Sequence, residues 1–311
     1  MAPEMISLDR LISGEIKNSV VLSSRGIAPE FLARLPFVNI SEIEELPAWA
    51  EWVIVVGGGT LIDKVKYVVR ERFPNTKIVA IPSLWGSGAH VSPIVVLNGL
   101  EKHVYRNENY VPDAYVLVPE LGESVSPALA KYSCGDVWSH VLEGFLSPLA
   151  TSQLREEASS IIATLLDLPL SSSPEWFVMS GRACLVQARS SVGLIHGMSH
   201  VLEPVLAEQN PGEWGHARLC TTFLHPVMNY NLSRSDKVRK LCAQHSVDLS
   251  LVLEKLKSMF ELSAYQKVIA LAIPLWNRIT LDQCSRTNCV LVRREGFQFF
   301  NDFGAEYGQA Q

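Results

Sequence analysis

Short apolar runs rich in β-branched residues alternate with helical segments over roughly the first 120 residues, and this alternation constrains the fold more than any other feature. Six runs are candidate strands: SVVLSS, PFVNI, WVIVVGGG, KIVAIPS, SPIVVLN and AYVLVPE. Strands that alternate with helices are typical of a parallel sheet whose faces are covered by the helices. The pattern predicts a doubly wound α/β domain.

The pattern changes from about Pro127 onward. Longer segments with a 3.6-residue hydrophobic period follow, for example LREEASSIIATLLDL and DLSLVLEKLKSMF, and strand signals become rare. Such periodicity is typical of amphipathic helices. We therefore predict two domains, an α/β domain over residues 1–126 and an all-helical domain over residues 127–311.

Composition excludes several classes of protein. Of the 311 residues 48% are hydrophobic, the net charge is −5, and no Lys/Arg-rich block occurs, which argues against binding to nucleic acid or to an anionic membrane. The longest apolar run, VIALAIPLW, is too short to span a bilayer. The six cysteines form no CxxC pair, so a zinc finger or disulfide framework is not expected. We predict a soluble, cytoplasmic protein.

Two glycine-bearing loops follow neighbouring predicted strands. In WVIVVGGGTLIDKVK a strand runs into three glycines and then directly into a helix, which is a geometry that lets backbone N–H groups approach an anion. The second loop, IPSLWGSGAHVSP, combines glycines with Ser83, Ser87 and Ser92. Loops at the carboxyl ends of parallel strands are where open α/β sheets bind ligands, so we predict a phosphate or pyrophosphate site here.

Acidic and imidazole side chains recur at helical spacing in the second half of the chain. Asp136 and His140 lie four residues apart in an apolar segment, and His196 and His200 repeat the spacing. His216 follows after a polar loop. Residues four apart share a helix face, and a carboxylate with imidazoles suits a divalent transition metal. For a single histidine a structural role is the commoner one, but the set favours a metal site.

Several motifs resemble those of the iron-containing (group III) alcohol dehydrogenases, in the superfamily that also holds glycerol dehydrogenase and dehydroquinate synthase. GGGTLIDKVK is similar to GGGSxxDxAK, IPSLWGSGAHVSP to PTTxGTGSEVTP, and PDAYVLVPEL to PDxxxxDPEL. CGDVWSHVLEGFLS resembles GxDALxHAxExYxS, and the block from GLIHGMSHVLEP to HPVMNYN resembles a further motif with the pattern HxxxH. The motifs keep the family's order from about residue 53 to 231.

The resemblance implies a Rossmann-like N-terminal domain, an all-helical C-terminal domain, and a cleft holding nicotinamide cofactor, metal and substrate. In such enzymes the metal ligands fall on Asp136, His140, His196 and His216 of this chain. The second histidine of the HxxxH motif, here His200, is implied as a proton relay. The divalent metal would be Fe²⁺ or Zn²⁺, since both suit these ligands.

The same resemblance implies a cofactor site for NADP(H) or NAD(H), with the pyrophosphate at the first glycine loop and the nicotinamide along the second. The implied residues are Gly57, Gly58, Gly59, Thr60, Asp63, Ser83, Leu84, Ser87 and Lys102. The stretch before the GGG motif is several tens of residues shorter than is usual in the family, so the adenosine-binding part of the domain is trimmed. Ser23, Ser24 and Arg25 stand where NAD-preferring relatives carry an acid, which favours NADP(H).

The implied function is that of a metal-dependent, NAD(P)-linked alcohol dehydrogenase or aldehyde reductase that acts on a small-molecule alcohol or aldehyde. The resemblance also implies a homodimer. Two alternatives stay open. One is a lyase or cyclase of the dehydroquinate synthase type, with the same fold, metal and cofactor. The other is a non-catalytic relative with impaired cofactor binding.

Overall fold

The structure is a computed structural model that describes residues 3–97, 99, 102–210 and 212–309, without the side chains of residues 306, 308 and 309. The described chain divides into two compact units. The first unit comprises residues 1–99, 103–127 and 172–185, and the second comprises residues 100–102, 128–171 and 186–311. The two domains that we infer from the sequence, 1–126 and 127–311, stay a prediction.

The first unit is built on a six-stranded parallel sheet with the order β1-β8-β5-β4-β2-β3. A separate two-stranded antiparallel sheet pairs β6 with β7. The strands are β1 (Glu4–Met5), β2 (Ser19–Ser23), β3 (Val38–Ile40), β4 (Trp52–Gly57), β5 (Lys77–Pro82), β6 (Ile94–Leu97), β7 (His103–Arg106) and β8 (Ala114–Tyr115).

The chain has twelve described α-helices. They are α1 (Leu8–Ile12), α2 (Pro29–Leu32), α3 (Gly59–Arg72), α4 (Pro127–Leu146), α5 (Ser152–Asp167), α6 (Pro174–Arg189), α7 (Leu194–Gln209), α8 (His216–Arg234), α9 (Lys237–Gln244), α10 (Leu249–Met259), α11 (Leu262–Leu281) and α12 (Phe297–Gln309). The fold class predicted from the sequence, a parallel α/β sheet followed by a helix-rich C-terminal part, is confirmed.

Both faces of the parallel sheet pack against buried apolar residues, as strand β4 shows. Val53 and Val55 contribute to a buried cluster that also contains Val65 of α3, while Ile54 and Val56 belong to a second buried cluster on the other face. Successive side chains of a strand point to opposite faces, and β4 carries apolar residues at every position, as expected for a strand buried on both sides.

The run SPIVVLN forms a strand, but not a strand of the parallel sheet. It gives β6, whose partner β7 runs antiparallel to it. Only Val95 of β6 is buried, and β7 is largely exposed, so neither strand has the apolar surroundings of a central strand. AYVLVPE contributes only the two-residue β8.

Helices alone account for the regular secondary structure of the second unit over its described residues, except for short 3₁₀ turns. More than half of the residues in each of the helices α4, α7 and α8 are buried. These three helices carry the acidic and imidazole residues singled out above. None of the helices described here combines the length and the apolar character that crossing a membrane would require.

Candidate metal centre and dinucleotide loops

Three helices of the second unit bring four potential metal ligands together. Asp136 lies on α4, His196 on α7, and His216 and Cys220 on α8. Their ligand atoms all lie within 4.8 Å of one another. His140, one turn after Asp136, lies beside them with its Nε2 3.9 Å from Asp136 Oδ1. Residues far apart in sequence therefore share one small, mostly buried volume.

A glycine allows α4 and α8 to approach closely beside this cluster. A Cβ atom at Gly135 would lie 2.1 Å from Thr221 Oγ1, a distance that no packing tolerates. The residue before Asp136 must therefore be glycine for this helix pair to reach its observed spacing. Thr221 itself is held by its own helix, because its hydroxyl donates to the carbonyl oxygen of Ala217 at 2.7 Å.

The imidazole rings pack against one another around the cluster. His140 stacks on His196 with ring centroids 4.9 Å apart, and His196 lies 5.2 Å from His216. His216 in turn stacks on His200 at 5.7 Å. Burial holds the pKa values of two of these rings, His200 and His216, well below their usual range, so both are neutral in the folded protein.

Two buried atoms at the centre of the cluster have no hydrogen-bond partner among the described residues, namely Asp136 Oδ1 and His196 Nε2. Burial raises the pKa of the Asp136 carboxyl, but the surrounding histidines, led by His140, lower it more, so the pKa lies below its usual value. Burial, reinforced by Lys102, holds the pKa of His216 well below its usual value. An ionised carboxylate beside neutral imidazoles is the state that binds a cation, and the donor set therefore fits a divalent metal.

Glu143 of α4 orients the His196 ring. Its Oε2 atom lies 2.7 Å from His196 Nδ1, and its Oε1 atom accepts the backbone N–H of Ile195 at 2.6 Å. A carboxylate on Nδ1 fixes the tautomer with hydrogen on Nδ1 and leaves the Nε2 lone pair for a metal. Nε2 is the atom of His196 for which the described part of the chain supplies no hydrogen-bond partner.

Lys102 and Glu203 flank His216 in a similar way. Glu203 pairs with the Lys102 ammonium, and its Oε2 lies 3.5 Å from His216 Nδ1. Lys102 Nζ is 3.1 Å from the same nitrogen. His216 Nε2 lies 3.8 Å from Asp136 Oδ1. The Lys102 ammonium can only donate to Nδ1, so a metal on Nε2 requires that this contact gives way to an Nδ1 hydrogen directed at Glu203. The structure thus places Lys102 beside a candidate metal ligand, and its implied role towards the cofactor stays a prediction.

His200 lies at the side of the cluster and is partly exposed. Its Nδ1 atom is 3.6 Å from Cys284 Sγ, and Cys284 and Asp282 form a second group of potential ligands with it. Burial, reinforced by Lys102, lowers the pKa of His200 well below its usual value, so the ring is neutral at neutral pH and can accept a proton.

Sequence analysis did not single out Cys220, Glu143 or Glu203. Cys220 stands four residues after His216, the same spacing that drew attention to Asp136 and His140. That spacing could have identified it, but a search for paired cysteines does not. Glu143 and Glu203 have no such signal, because each faces a histidine on another helix.

The two glycine loops lie in the first unit. Gly58 precedes α3 in an extended conformation and supplies no side chain to cap the helix, so the first N–H groups of α3 are available to an anion. Thr60 is exposed at the same terminus. The N–H group of Ser83 donates to the carbonyl oxygen of Gly57 at 3.0 Å and joins the two loops. A Cβ atom at Gly59 would lie 2.4 Å from Ser87 Oγ, so this close approach requires glycine.

The predicted cofactor residue Asp63 braces this region. Its Oδ1 atom accepts from the Lys66 ammonium at 2.9 Å, and Oδ2 accepts the backbone N–H of Val96 at 3.0 Å. Lys66 is completely buried and also donates to the carbonyl oxygens of Ala89 and Ile94. These hydrogen bonds hold Asp63 to the loop, and its implied role towards the cofactor stays a prediction. Leu84 and Ser87 lie half-buried in the second loop.

The chain is similar in sequence to known alcohol dehydrogenases. The chain is 29% identical over 167 residues to 1-propanol dehydrogenase of Salmonella typhimurium, which covers 48% of this chain and 45% of that protein. It is 25% identical over 254 residues to 1-propanol dehydrogenase of Citrobacter freundii, covering 73% of this chain and 68% of that protein. The chain thus matches less than half the length of the first of these relatives. No family model matches the chain.

Solved structures share the fold at low sequence identity. An iron-containing alcohol dehydrogenase from Thermococcus thioreducens superimposes with a TM-score of 0.75 at 21% identity, covering 97% of this chain and 98% of that one. Maleylacetate reductase from Agrobacterium tumefaciens gives a TM-score of 0.77 at 16% identity, covering 98% and 96%. The resemblance that the motifs indicate is therefore supported: the chain is related in sequence to 1-propanol dehydrogenases, and it shares its fold with iron-containing alcohol dehydrogenases.

Proposed function

We propose that this chain is a metal-dependent, NAD(P)-linked alcohol dehydrogenase or aldehyde reductase. The observation that carries the proposal is the convergence of Asp136, His196 and His216 in one buried volume where Asp136 Oδ1 and His196 Nε2 have no hydrogen-bond partner among the described residues. The sequence relatives are alcohol dehydrogenases, which supports the reaction class.

The proposed ligands are Asp136, His140, His196 and His216. A divalent ion held by them would lower the pKa of an alcohol hydroxyl and polarise the carbonyl of an aldehyde. Glu143 presents His196 Nε2 by holding the hydrogen on Nδ1. Because the surroundings are buried, the Asp136 carboxylate, whose Oδ1 accepts no hydrogen bond from the described residues, attracts a cation strongly.

We assign the proton step to His200. Its ring lies 6.0 Å from His196 and 5.7 Å from His216, measured between ring centroids, and it is the partly exposed member of this group. The neutral ring accepts the hydroxyl proton of an alcohol and returns a proton when an aldehyde is reduced. Partial exposure lets that proton exchange with solvent.

We assign the dinucleotide to the glycine loops of the first unit. The uncapped N-terminus of α3 would receive the pyrophosphate, with Gly57, Gly58, Gly59 and Thr60 around it. The half-buried loop residues Ser83, Leu84 and Ser87 would line the nicotinamide. Ser23 ends β2, and Ser24 and Arg25 follow it. These residues favour NADP(H) over NAD(H), since an arginine accommodates the 2'-phosphate.

The proposal is tested by elemental analysis of the anaerobically purified protein, combined with a screen for NADPH oxidation across aldehydes. Wild-type protein should hold a stoichiometric divalent ion and reduce at least one aldehyde. His196→Ala should lose the ion. His200→Ala should keep the ion and lose turnover. A stoichiometric ion in His196→Ala would contradict the assignment of the site.

The dinucleotide assignment has its own test at Gly58. A Cβ atom there meets no atom within 4 Å, and the backbone conformation suits alanine, so Gly58→Ala should fold normally. The added methyl group would stand where a pyrophosphate approaches the helix. Calorimetry with NADP(H) and NAD(H) should show weaker binding in this variant with unchanged thermal stability, and equal affinity would count against this loop as the phosphate site.

A further inference from the structure

Cys220 lies within the candidate metal centre and has no role in the proposed function so far. It is fully buried on α8, one turn after His216. Its Sγ atom lies 3.6 Å from His216 Nε2 and 3.4 Å from Ser199 Oγ. Cys220 is the fourth member, with Asp136, His196 and His216, of the set of ligand atoms that lie within 4.8 Å of one another.

The spacing of Cys220 and His216 fits two ligands of one ion. A thiolate at about 2.3 Å and an imidazole nitrogen at about 2.05 Å from a tetrahedral zinc ion lie about 3.6 Å apart. The observed distance between Cys220 Sγ and His216 Nε2 is 3.6 Å. The separation of 3.8 Å between His216 Nε2 and Asp136 Oδ1 is only slightly wider than a shared ion requires.

We propose that the Cys220 thiolate is a ligand of the metal ion, so that the resting centre contains a sulfur donor. This inference rests on the proposed function, because it concerns the same ion. The sulfur–metal bond forms as the thiol gives up its proton to solvent. Thiolate sulfur is a soft ligand that favours Zn²⁺ over the harder Fe²⁺, so the chain is a zinc enzyme on an iron-containing alcohol dehydrogenase fold.

The charge balance of the cluster supports a second anionic ligand. Asp136 and the Cys220 thiolate together neutralise a divalent ion, whereas Asp136 with neutral imidazoles leaves one positive charge. The buried Lys102 ammonium stands beside His216, and although Glu203 pairs with it, a centre without net charge lies next to it at lower electrostatic cost. In this arrangement Cys220 takes the place of His140, which lies outside the group of four mutually close ligand atoms, and zinc can expand from four to five ligands to accept a substrate oxygen.

The test uses the full-length protein stripped of metal and reloaded with Co²⁺. Wild-type protein should show a thiolate-to-cobalt charge-transfer band in the near ultraviolet. Cys220→Ser should bind Co²⁺ without this band. Cys242→Ser is the matched control, because Cys242 is a buried thiol that lies outside both groups of potential ligands, and it should keep the band.

The outcomes separate this inference from the proposed function. Wild-type protein that binds Co²⁺ without the band, or a band that survives in Cys220→Ser, overturns sulfur ligation by Cys220 and leaves the proposed function standing. Wild-type protein that binds no divalent ion overturns both. If Cys220→Ser does not fold, X-ray absorption of zinc-loaded wild-type protein decides, since a zinc–sulfur shell at about 2.3 Å must be present.

Discussion

Two buried polar clusters in this protein differ in whether their polar groups have partners. In the first unit the fully buried Lys66 ammonium has three acceptors, and Asp63 uses both carboxylate oxygens. In the second unit Asp136 is equally buried, but its Oδ1 atom lacks a hydrogen-bond donor among the described residues, as His196 Nε2 lacks a partner. The motifs assign residues of the first cluster to the cofactor site and residues of the second cluster to the metal site.

The difference separates a structural cluster from a ligand site. A buried charge whose hydrogen bonds are all made holds the backbone segments that supply its partners, and here it joins α3 to the segments around Ala89 and Ile94. A buried carboxylate oxygen that no donor reaches leaves one interaction unmade in the chain alone, and a bound cation can supply it. The first cluster therefore contributes stability, and the second contributes binding.

The largest expected effect is the loss of stability in Asp63→Asn. The substitution keeps the shape of the side chain but leaves the Lys66 charge buried without its counter-ion, and breaking a buried ion pair in this way costs about 3–5 kcal/mol. The free energy of unfolding, measured by urea denaturation in the presence of a chelator, should fall by that amount.

Asp136→Asn is the matched control for this comparison. It removes a buried charge whose Oδ1 accepts no hydrogen bond from the described residues and lies 3.8 Å or more from the nearest histidine nitrogens, so the metal-free protein should lose less stability than Asp63→Asn does. Added Zn²⁺ should stabilise the wild-type protein and not this variant, because only a protein that binds the ion gains from it. Equal losses of stability in the two metal-free variants would remove the distinction between the clusters.

The sequence predicts a feature correctly where the residues that form it lie on one strand or one helix. Strands β2, β4 and β5 were predicted because their runs of β-branched residues are buried in the sheet. Strand β7 was missed because its exposed, polar residues carry no such pattern. The pair Asp136 and His140 was visible because both residues lie on one helix. The bond between Glu143 and His196 joins residues 53 positions apart on different helices, and no local spacing reveals it.

A smaller effect, on metal affinity, is expected from Glu143→Gln. This substitution changes the carboxylate of the second cluster that has hydrogen-bond partners for both oxygens. Glutamine still fills the space, but it no longer offers a carboxylate to His196 Nδ1 and the N–H of Ile195. Loss of such an outer contact typically lowers metal affinity 10- to 100-fold. Competition for Zn²⁺ with a chromophoric chelator measures this change. Glu157→Gln, which alters an exposed ion pair with Arg189, is the control and should bind as the wild type does. Unchanged affinity in Glu143→Gln would show that the ring is held by its packing alone.

The smallest effect at neutral pH concerns His90, which lies in the first unit beside the complete cluster. Burial, with a smaller contribution from Lys66, lowers the pKa of His90 to about 3. The unfolded chain binds a proton at His90 below a pKa of about 6.5, while the folded chain does not, so stability falls as the pH drops from about 6.5 towards 3. His90→Gln cannot take up that proton and should show a shallower loss of stability over this range, with no change in slope above pH 7. The buried His225, whose pKa burial lowers to about 4, provides the comparison, since His225→Gln should flatten the same curve over a narrower range. Urea denaturation at a series of pH values measures how the free energy of unfolding depends on pH. If His90→Gln showed the same dependence as the wild type, the His90 imidazole would gain a proton in the folded protein beside the Lys66 charge. The first cluster would then not be the closed structural unit that its hydrogen bonds describe.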